Sequence, residues 1–269
     1  MELNTFAKKI KENKFFASSY RRVINSSLLQ WIAKDTKNRK FKTEFKKFIS
    51  LLNDSQSRFI IRWSDRYPCL EDKTQMTRFD HHYIYHPAWA ARILSQTKPA
   101  YHIDISSSLH FCTIVAAFIP VKFYDYRPAK LYLSNLTSDH TDITALPFED
   151  NSVKSLSCMH TVEHIGLGRY GDPIDPNGDL KAIAELKRVV SPGGNLLFVV
   201  PVGKDAKIMF NAHRIYTYNQ IFIYFKDFEL VEFSLITDTP KLHDFIENAD
   251  PKLSEQCTYG CGCFWFRKK

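Results

Sequence analysis

The sequence contains no run of about eighteen apolar residues, the length an α-helix needs to cross a membrane, so no membrane span is expected. Residues 1–16 (MELNTFAKKIKENKFF) also lack the apolar core of a secretory signal peptide. The six cysteines are scattered and none forms a CxxC pair, so a reducing cytoplasm is the expected compartment. Hydrophobic content of 44% instead predicts a substantial packed core.

Positive charge is concentrated at the start of the chain. Residues 1–50 hold 13 Lys/Arg and 4 Asp/Glu, whereas the rest of the chain holds 24 and 25. Apolar residues recur at spacings of three and four through residues 1–53, which predicts two or three helices. Three interpretations remain open for this basic arm: a solvated face, peripheral contact with an anionic membrane, or nucleic acid. Nucleic acid is the least favoured, because no zinc-finger, RNP or glycine-loop signature accompanies the arm.

Residues 54–77 are polar and of mixed charge, with Tyr67-Pro68 as a turn. The sequence therefore predicts a helical N-terminal extension over residues 1–77 and one larger domain over residues 78–269.

The larger domain shows a strand–helix–strand pattern. Val153–Met159 and Asn195–Val200 are short apolar runs, and Leu180–Val190 between them has helical periodicity. Ser191–Gly194 (SPGG) is expected to end the helix in a turn. This order is typical of a parallel α/β crossover, in which helices cover both faces of the sheet.

Further strands are predicted on both sides of this unit. Tyr101–Ile105 is expected to be the first strand and Val121–Tyr124 the second, with Leu109–Phe118 as the helix between them. The remaining predicted elements are a third strand within Leu131–Thr141, a helix near Tyr218–Tyr224, and two final strands at Phe228–Thr237 and Cys263–Arg267. Asp104 and Asp125 end the first two strands 21 residues apart, a spacing that suits a dinucleotide-type site.

The first strand is followed by Ser106-Ser107-Ser108, where such sites normally carry glycines. Because serine lacks glycine's freedom at positive φ, the loop is expected to use ordinary dihedral angles. The serine hydroxyls are expected to cap the next helix or to reach a ligand.

Several motifs resemble those of class I S-adenosylmethionine-dependent methyltransferases. They are Asp142 with Leu146-Pro147-Phe148, the strand that ends in His160-Thr161-Val162-Glu163-His164, and Pro192-Gly193-Gly194. The longer signature EHIGLGRYGDPIDPNGD, with NAHRIY and YGCGCFWFRK downstream, resembles the family called domain of unknown function 268. The resemblance implies a Rossmann-like, three-layer α/β sandwich with a mostly parallel sheet and an antiparallel last strand.

The resemblance also implies where S-adenosylmethionine binds. Asp104 is expected at the methionine end of this cofactor, Asp125 at the ribose, and Asp142 with the Ile143 backbone at the adenine. Ser106, Ser108 and Cys158 are the other residues expected to line the cofactor.

The end of the fourth strand supplies the residues expected to carry the chemistry. His164 is the first choice for a general base, with Glu163 and His160 beside it, because imidazole titrates near neutral pH. A packing or capping role for His164 is the alternative. Arg169, Asp172, His213 and Arg214 are the residues expected to bind the acceptor. The family context suggests a glycan or small-molecule acceptor, with O-methylation of a sugar in bacterial surface-glycan assembly.

Two clusters have the residue types of a metal site, but no metal is predicted. His81, His82 and His86 follow Asp80, but Pro87 argues against one continuous helix through the histidines. A wall of the substrate pocket and structural hydrogen bonding are the other interpretations of this cluster. Cys257, Cys261 and Cys263 have the spacing C-x3-C-x-C, which lacks a CxxC hairpin, so buried thiols are favoured.

Two alternatives to a methyltransferase remain. One is a catalytically inactive scaffold or binding module that has lost its glycine loop. The other is an enzyme of the same fold that uses a nucleotide sugar.

Overall fold

The computed structural model describes residues 31, 34–52, 58–239 and 242–269. The chain divides into two units, Met1–Arg78 and Phe79–Lys269, and each is described by itself.

In the first unit, residues 34–50 are helical. Lys37 pairs with Glu71 at 2.7 Å, and the rings of Phe41 and Phe45 pack on Trp63. This helix carries seven Lys/Arg and two Asp/Glu, while residues 1–30, 32 and 33 of the predicted basic arm lie outside the described residues. No helix in the described part of the chain is long and apolar enough to span a membrane.

The second unit is built on one eight-stranded sheet with helices on both faces. Its helices are α1 His81–Thr97, α2 Leu109–Val115, α3 Gly178–Val189 and α4 Tyr218–Tyr224. Its strands are β1 His102–Ile105, β2 Val121–Asp125, β3 Leu136–His140, β4 Val153–Met159, β5 Val190–Val202, β6 Lys207–Met209, β7 His213–Ile215, β8 Phe228–Ile236, β9 Phe245–Ile246 and β10 Gly260–Lys268. Strands β6 and β7 form a separate hairpin.

The sheet order is β3-β2-β1-β4-β5-β10-β8-β9. Strands β1 to β5 are parallel, whereas β10 is antiparallel to both β5 and β8. The expected fold class is therefore confirmed, including the antiparallel final strand.

Two buried clusters form the core, one on each face of the sheet. Along β5, Phe198 and Val200 face the cluster that contains α3 and α4, while Leu197 and Val199 face the one that contains α1 and α2. Side chains of successive strand residues point to opposite faces, so a strand covered by helices on both sides is apolar at every position.

The predicted turn at Ser191–Gly194 lies inside β5. The helix ends at Val189, one residue before the predicted end, and the chain enters the strand directly at Val190. The pairing register with β4 shifts here, because Val153 faces Val190 whereas Ser155 faces Asn195. The Pro-Gly-Gly segment therefore forms an irregular strand segment rather than a free turn, and Gly193 has φ of +73°.

The expectation that Pro87 prevents one continuous helix through the histidines was wrong. The Asp80 carboxylate accepts a hydrogen bond from the Tyr83 N–H and caps the helix at His81, six residues before Pro87, and α1 continues through Pro87 to Thr97. A proline inside a helix removes its own N–H bond to the carbonyl four residues back, and its ring crowds that carbonyl. Because α1 buries Trp89, Ile93 and Leu94 beyond the proline, we infer that packing outweighs this loss.

Candidate active site

A cavity of about 340 Å³, here called cavity A, lies at the carboxyl ends of β1 to β4. This edge is where open parallel α/β sheets bind their ligands. Its lining comes from the loops after these strands and from the start of α3. The lining residues are Ser106, Asp125, Tyr126, Arg127, Thr141, Asp142, Ile143, Thr144, His160, Thr161, His164, Ile165, Gly166, Tyr170, Asp172, Pro173, Asp175, Gly178 and Lys181.

Four of the seven residues predicted to bind the cofactor line cavity A: Ser106, Asp125, Asp142 and Ile143. The other three, Asp104, Ser108 and Cys158, do not. Asp104 and Cys158 are fully buried, and Ser108 caps α2 by accepting a hydrogen bond from the Phe111 N–H.

Ser106 corrects the expectation of ordinary dihedral angles in the serine loop. Its φ is +55°, in the left-handed region that favours glycine. Three hydrogen bonds hold it there: its N–H and its hydroxyl both donate to the Tyr124 carbonyl, and its own carbonyl accepts from the Thr161 hydroxyl. The loop therefore bends as a glycine loop would, without glycine.

The neighbouring serines point away from the cavity. The Ser107 hydroxyl accepts a hydrogen bond from the Met159 N–H, which ties the loop to β4. The Asp104 carboxylate accepts from the Ser107 N–H and the Ser157 hydroxyl, and burial raises its pKa to about 6. Asp104 thus supports the loop from below rather than facing a ligand.

Asp125 and Asp142 each have one carboxylate oxygen in use within their own turn. Asp125 Oδ1 accepts from the Arg127 N–H at 2.6 Å, and Asp142 Oδ1 accepts from the Thr144 N–H at 2.8 Å. The second oxygen of each has no hydrogen-bond partner among the described residues. Two half-satisfied carboxylates in one cavity suit a ligand that carries hydroxyl or amino donors.

A second cavity of about 490 Å³, here called cavity B, adjoins the first. His160, His164 and Tyr170 line both cavities. The remaining lining residues are Tyr83, Glu163, Arg169, Asn211, Ala212, His213 and Tyr259. The two cavities therefore meet at the end of β4, where the sequence placed the catalytic residues.

His164 is buried in a well-defined orientation. Its Nδ1 donates to the Ala212 carbonyl at 2.6 Å, which assigns the proton to Nδ1 and leaves Nε2 as the acceptor. Burial lowers the His164 pKa from its ordinary value, while the nearby Glu163 carboxylate acts in the opposite direction. A neutral imidazole with a free Nε2 is the form a general base requires.

Glu163 lies between the two histidines and is only 1% exposed. Its Oε1 is 2.8 Å from His160 Nδ1 and 3.8 Å from His164 Nε2. Burial acts to raise its pKa, but the hydrogen bond with His160 and the interactions with both histidines outweigh burial and lower it. Glu163 is therefore an anion that can stabilise positive charge on either imidazole.

His160 differs from His164 in that both ring nitrogens face protein atoms. Nδ1 bonds to Glu163, and Nε2 lies 3.3 Å from the Cys261 sulfur. Its backbone φ is +55°, an unusual value that directs the ring away from the regular path of β4. His160 is thus less available than His164 to accept a proton from a ligand.

The loop from Gly166 to Gly178 is a folded structure rather than an open one. Asp172 accepts hydrogen bonds from the Gly166 and Tyr170 N–H groups. Gly166 has φ of +80°, and a Cβ at this position would lie 2.0 Å from the Asp175 carbonyl oxygen, so only glycine fits. Asp172 therefore shapes the wall of cavity A from within its own loop.

Arg214 was predicted to bind the acceptor but lies outside both cavities. It is buried, donates to the carbonyls of Ile165 and Pro176, and approaches the Asp179 carboxylate at 3.5 Å. Arginine matches this site because its fork of donors satisfies several acceptors at once. It fastens the Gly166–Gly178 loop and does not face a ligand.

Arg169 and His213 do line cavity B. Arg169 donates to the Ala212 carbonyl at 3.0 Å and keeps other donors in an exposed position. Tyr83 and Tyr259 complete the wall from α1 and from the residue before β10. Sequence inspection missed both tyrosines, because no spacing links residues that lie 176 positions apart.

Comparisons with known proteins agree with part of this account. Residues 145–251 match the model of the family described as "Caenorhabditis protein of unknown function, DUF268". The expected resemblance to this family is thereby confirmed over these residues. No curated protein matches the chain.

Among solved structures, the Burkholderia thailandensis 1,6-didemethyltoxoflavin-N1-methyltransferase with bound S-adenosylhomocysteine is similar at 10% identity, covering 69% of this chain and 79% of that one (TM-score 0.46). The MccD protein is similar at 16% identity, covering 67% of this chain and 96% of that one (TM-score 0.45). The (4+2)-cyclase SpnF is similar at 14% identity, covering 68% of this chain and 80% of that one (TM-score 0.42). Likenesses at this level of sequence identity do not fix an activity.

Proposed function

We propose that this protein is an S-adenosylmethionine-dependent methyltransferase with its donor site in cavity A and its acceptor site in cavity B. The observation that supports this most directly is that the two cavities meet at His160, His164 and Tyr170. A methyl transfer needs donor and acceptor in line across one short gap. Two adjoining cavities at the carboxyl end of β4 suit that requirement.

The donor side rests on the acidic residues of cavity A. Asp125 and Asp142 end or follow neighbouring strands, and each offers one carboxylate oxygen that has no partner among the described residues. The free oxygen of Asp125 suits ribose hydroxyls, and Asp142 with the Ile143 backbone suits adenine, as the resemblance implies. Ser106 lines cavity A at φ of +55°, so the serine loop leaves space for a ligand there.

His164 is the proposed general base. When bound, the cofactor supplies a methyl group on a sulfonium. The acceptor hydroxyl is a weak nucleophile at neutral pH, so its proton must leave as the new bond to carbon forms. His164 Nε2 accepts that proton, the Ala212 carbonyl holds the ring in place, and the Glu163 carboxylate stabilises the imidazolium.

For the acceptor we propose a hydroxyl of a sugar, carried by a small molecule or a glycan. Cavity B combines three tyrosine rings with polar groups from Arg169, Asn211 and His213. Flat aromatic faces with a few polar groups suit a sugar ring, which has apolar faces and a polar edge. Two further expectations stay predictions: that the protein acts in bacterial surface-glycan assembly, and that its basic arm contacts an anionic membrane.

Titration calorimetry with S-adenosylmethionine tests the proposal. The wild-type protein is expected to bind, and Asp125→Ala is expected to lose at least tenfold in affinity, because a hydrogen bond to a charged group contributes about 1.5–3 kcal/mol. Asp139→Ala is the matched control, because Asp139 lies on the adjacent strand β3 but does not line cavity A.

The outcomes separate the alternatives. Wild-type binding that Asp125→Ala removes and Asp139→Ala keeps supports the proposal. No heat at millimolar cofactor contradicts it and favours an inactive scaffold. Thermal stabilisation by a nucleotide sugar alone would instead favour an enzyme that uses that ligand.

A further inference from the structure

Three potential metal ligands converge beside cavity B from distant parts of the chain. They are the side chains of His82 in α1, His160 after β4, and Cys261 in β10. One ligand atom from each lies within 4.8 Å of the other two. Cys261 is fully buried, His160 is buried and His82 is partly buried. Two imidazoles and a thiol form a donor set that suits zinc.

The spacing of the ligand atoms fits one ion. The Cys261 sulfur and His160 Nε2 are 3.3 Å apart. Zinc binds sulfur at about 2.3 Å and imidazole nitrogen at about 2.0 Å, so tetrahedral geometry places two such atoms about 3.5 Å apart. The His82 atom needs only a small inward movement to complete the set, since it already lies within 4.8 Å of both.

The surroundings of His160 favour a metal at Nε2. Its Nδ1 bonds to Glu163 Oε1 at 2.8 Å, so a carboxylate fixes the ring with Nε2 facing Cys261. Carboxylate–histidine pairs of this kind orient most metal-binding imidazoles. Glu163 Oε2 and His86 Nε2 are buried without a partner among the described residues, and the His86 ring lies 5.1 Å from the His160 ring. Buried polar atoms nearly always have a hydrogen-bond partner, so two without one beside this cluster favour a bound group there.

The path of the chain explains how the cluster forms. Because α1 continues through Pro87, His82 and His86 lie four residues apart on one helix. Cys261 and Cys263 both lie in β10 and so point to the same face of the sheet, which makes Cys263 a natural control. The sequence argument against a metal at the histidines rested on a broken helix, and that break does not occur.

We propose that His82, His160 and Cys261 bind a zinc ion at the edge of cavity B. Three protein ligands leave a fourth position, the arrangement of zinc sites that hold a water molecule or a substrate atom. His160 lines both cavities, so the ion lies next to the proposed acceptor. The proposal does not depend on methyl transfer, since it concerns metal content alone.

The test is elemental analysis of the full chain, purified under reducing conditions, loaded with zinc and dialysed. The wild type is expected to retain about one zinc per chain. Cys261→Ser and His82→Gln are expected to lower the zinc affinity at least tenfold in competition with a chromophoric chelator. Cys263→Ser and His81→Gln are the matched controls and are expected to keep the wild-type affinity, because neither residue belongs to the cluster.

Cobalt substitution provides a second measurement that does not need a folded ligand variant. Wild-type protein loaded with cobalt is expected to show a thiolate-to-metal charge-transfer band, which Cys263→Ser keeps. Wild-type protein that retains no zinc and shows no such band would overturn the proposal. So would a Cys261→Ser variant that is folded and binds zinc as tightly as the wild type.

Discussion

Replacing Ser106 tests whether the loop after β1 truly holds a glycine-like conformation. Ser106→Gly and Ser106→Ala both remove the hydroxyl that donates to the Tyr124 carbonyl. They differ in strain, because φ of +55° costs a residue with a Cβ about 1–2 kcal/mol and costs glycine nothing. Glycine loses about 0.4–1 kcal/mol of this advantage through the greater freedom of the unfolded chain.

The glycine variant is therefore expected to be more stable than the alanine variant by about 0.5–1 kcal/mol. In a domain of this size that difference raises the melting temperature by about 1–4 °C. Ser138, in the middle of β3, is the matched control site. There the alanine variant is expected to be more stable than the glycine variant by about 0.5–1 kcal/mol, because ordinary strand dihedral angles do not strain alanine and glycine loses more conformational entropy on folding.

Differential scanning calorimetry of the four variants measures both differences. The sign of the glycine–alanine difference must reverse between the two sites. If Ser106→Ala proves as stable as Ser106→Gly, the left-handed conformation of this loop is refuted. The interpretation of the serines as a working substitute for glycines then fails with it.

Three further predictions concern the second unit. His164→Gln lowers kcat/KM for methyl transfer about 10²–10⁴-fold, and wild-type kcat/KM falls on the acid side at a pH below 6.5, since burial, with Arg169 and His160, lowers the His164 pKa against the opposing effect of Glu163. Arg214→Met lowers the free energy of unfolding in urea by about 3–5 kcal/mol, because it leaves the buried Asp179 without its cation. Burial lowers the His102 pKa to about 3 and raises the Asp104 pKa to about 6, so their effects on stability oppose each other. His102→Gln removes the His102 effect, so from pH 6 to pH 4 the free energy of unfolding of the variant rises relative to that of the wild type, by at most about 1.4 kcal/mol per pH unit in urea titrations.

The main strands could be predicted because short buried strands leave strong local signals, whereas the antiparallel last strand was expected from the family resemblance. Val153–Met159 and Tyr218–Tyr224 have the predicted bounds, since apolar content and a capping residue at Thr217 are local properties. Pro87 misled the prediction, because the stabilisation of α1 comes from residues buried further along the helix. Tertiary packing of this kind leaves no trace in the few residues around a proline.

Residue roles were harder to predict than elements. Asp125 and Asp142 lie in cavity A, because strand ends in a parallel sheet necessarily meet at one edge. Asp104 ends its strand too, yet its carboxylate turns inward to Ser107 and Ser157. Asp179, at the start of α3, accepts a hydrogen bond from the Tyr216 hydroxyl, 37 residues further along the chain. Which way a carboxylate turns depends on partners that are distant in sequence.

The measurement that tests the central claim most directly is a crystal structure of the protein with S-adenosylhomocysteine. The ligand is expected in cavity A, with its ribose hydroxyls within hydrogen-bonding distance of Asp125 and its sulfur toward His164 and Tyr170, where cavity B begins. A ligand bound elsewhere, or a cavity A that stays empty of it at saturating concentration, would contradict the account.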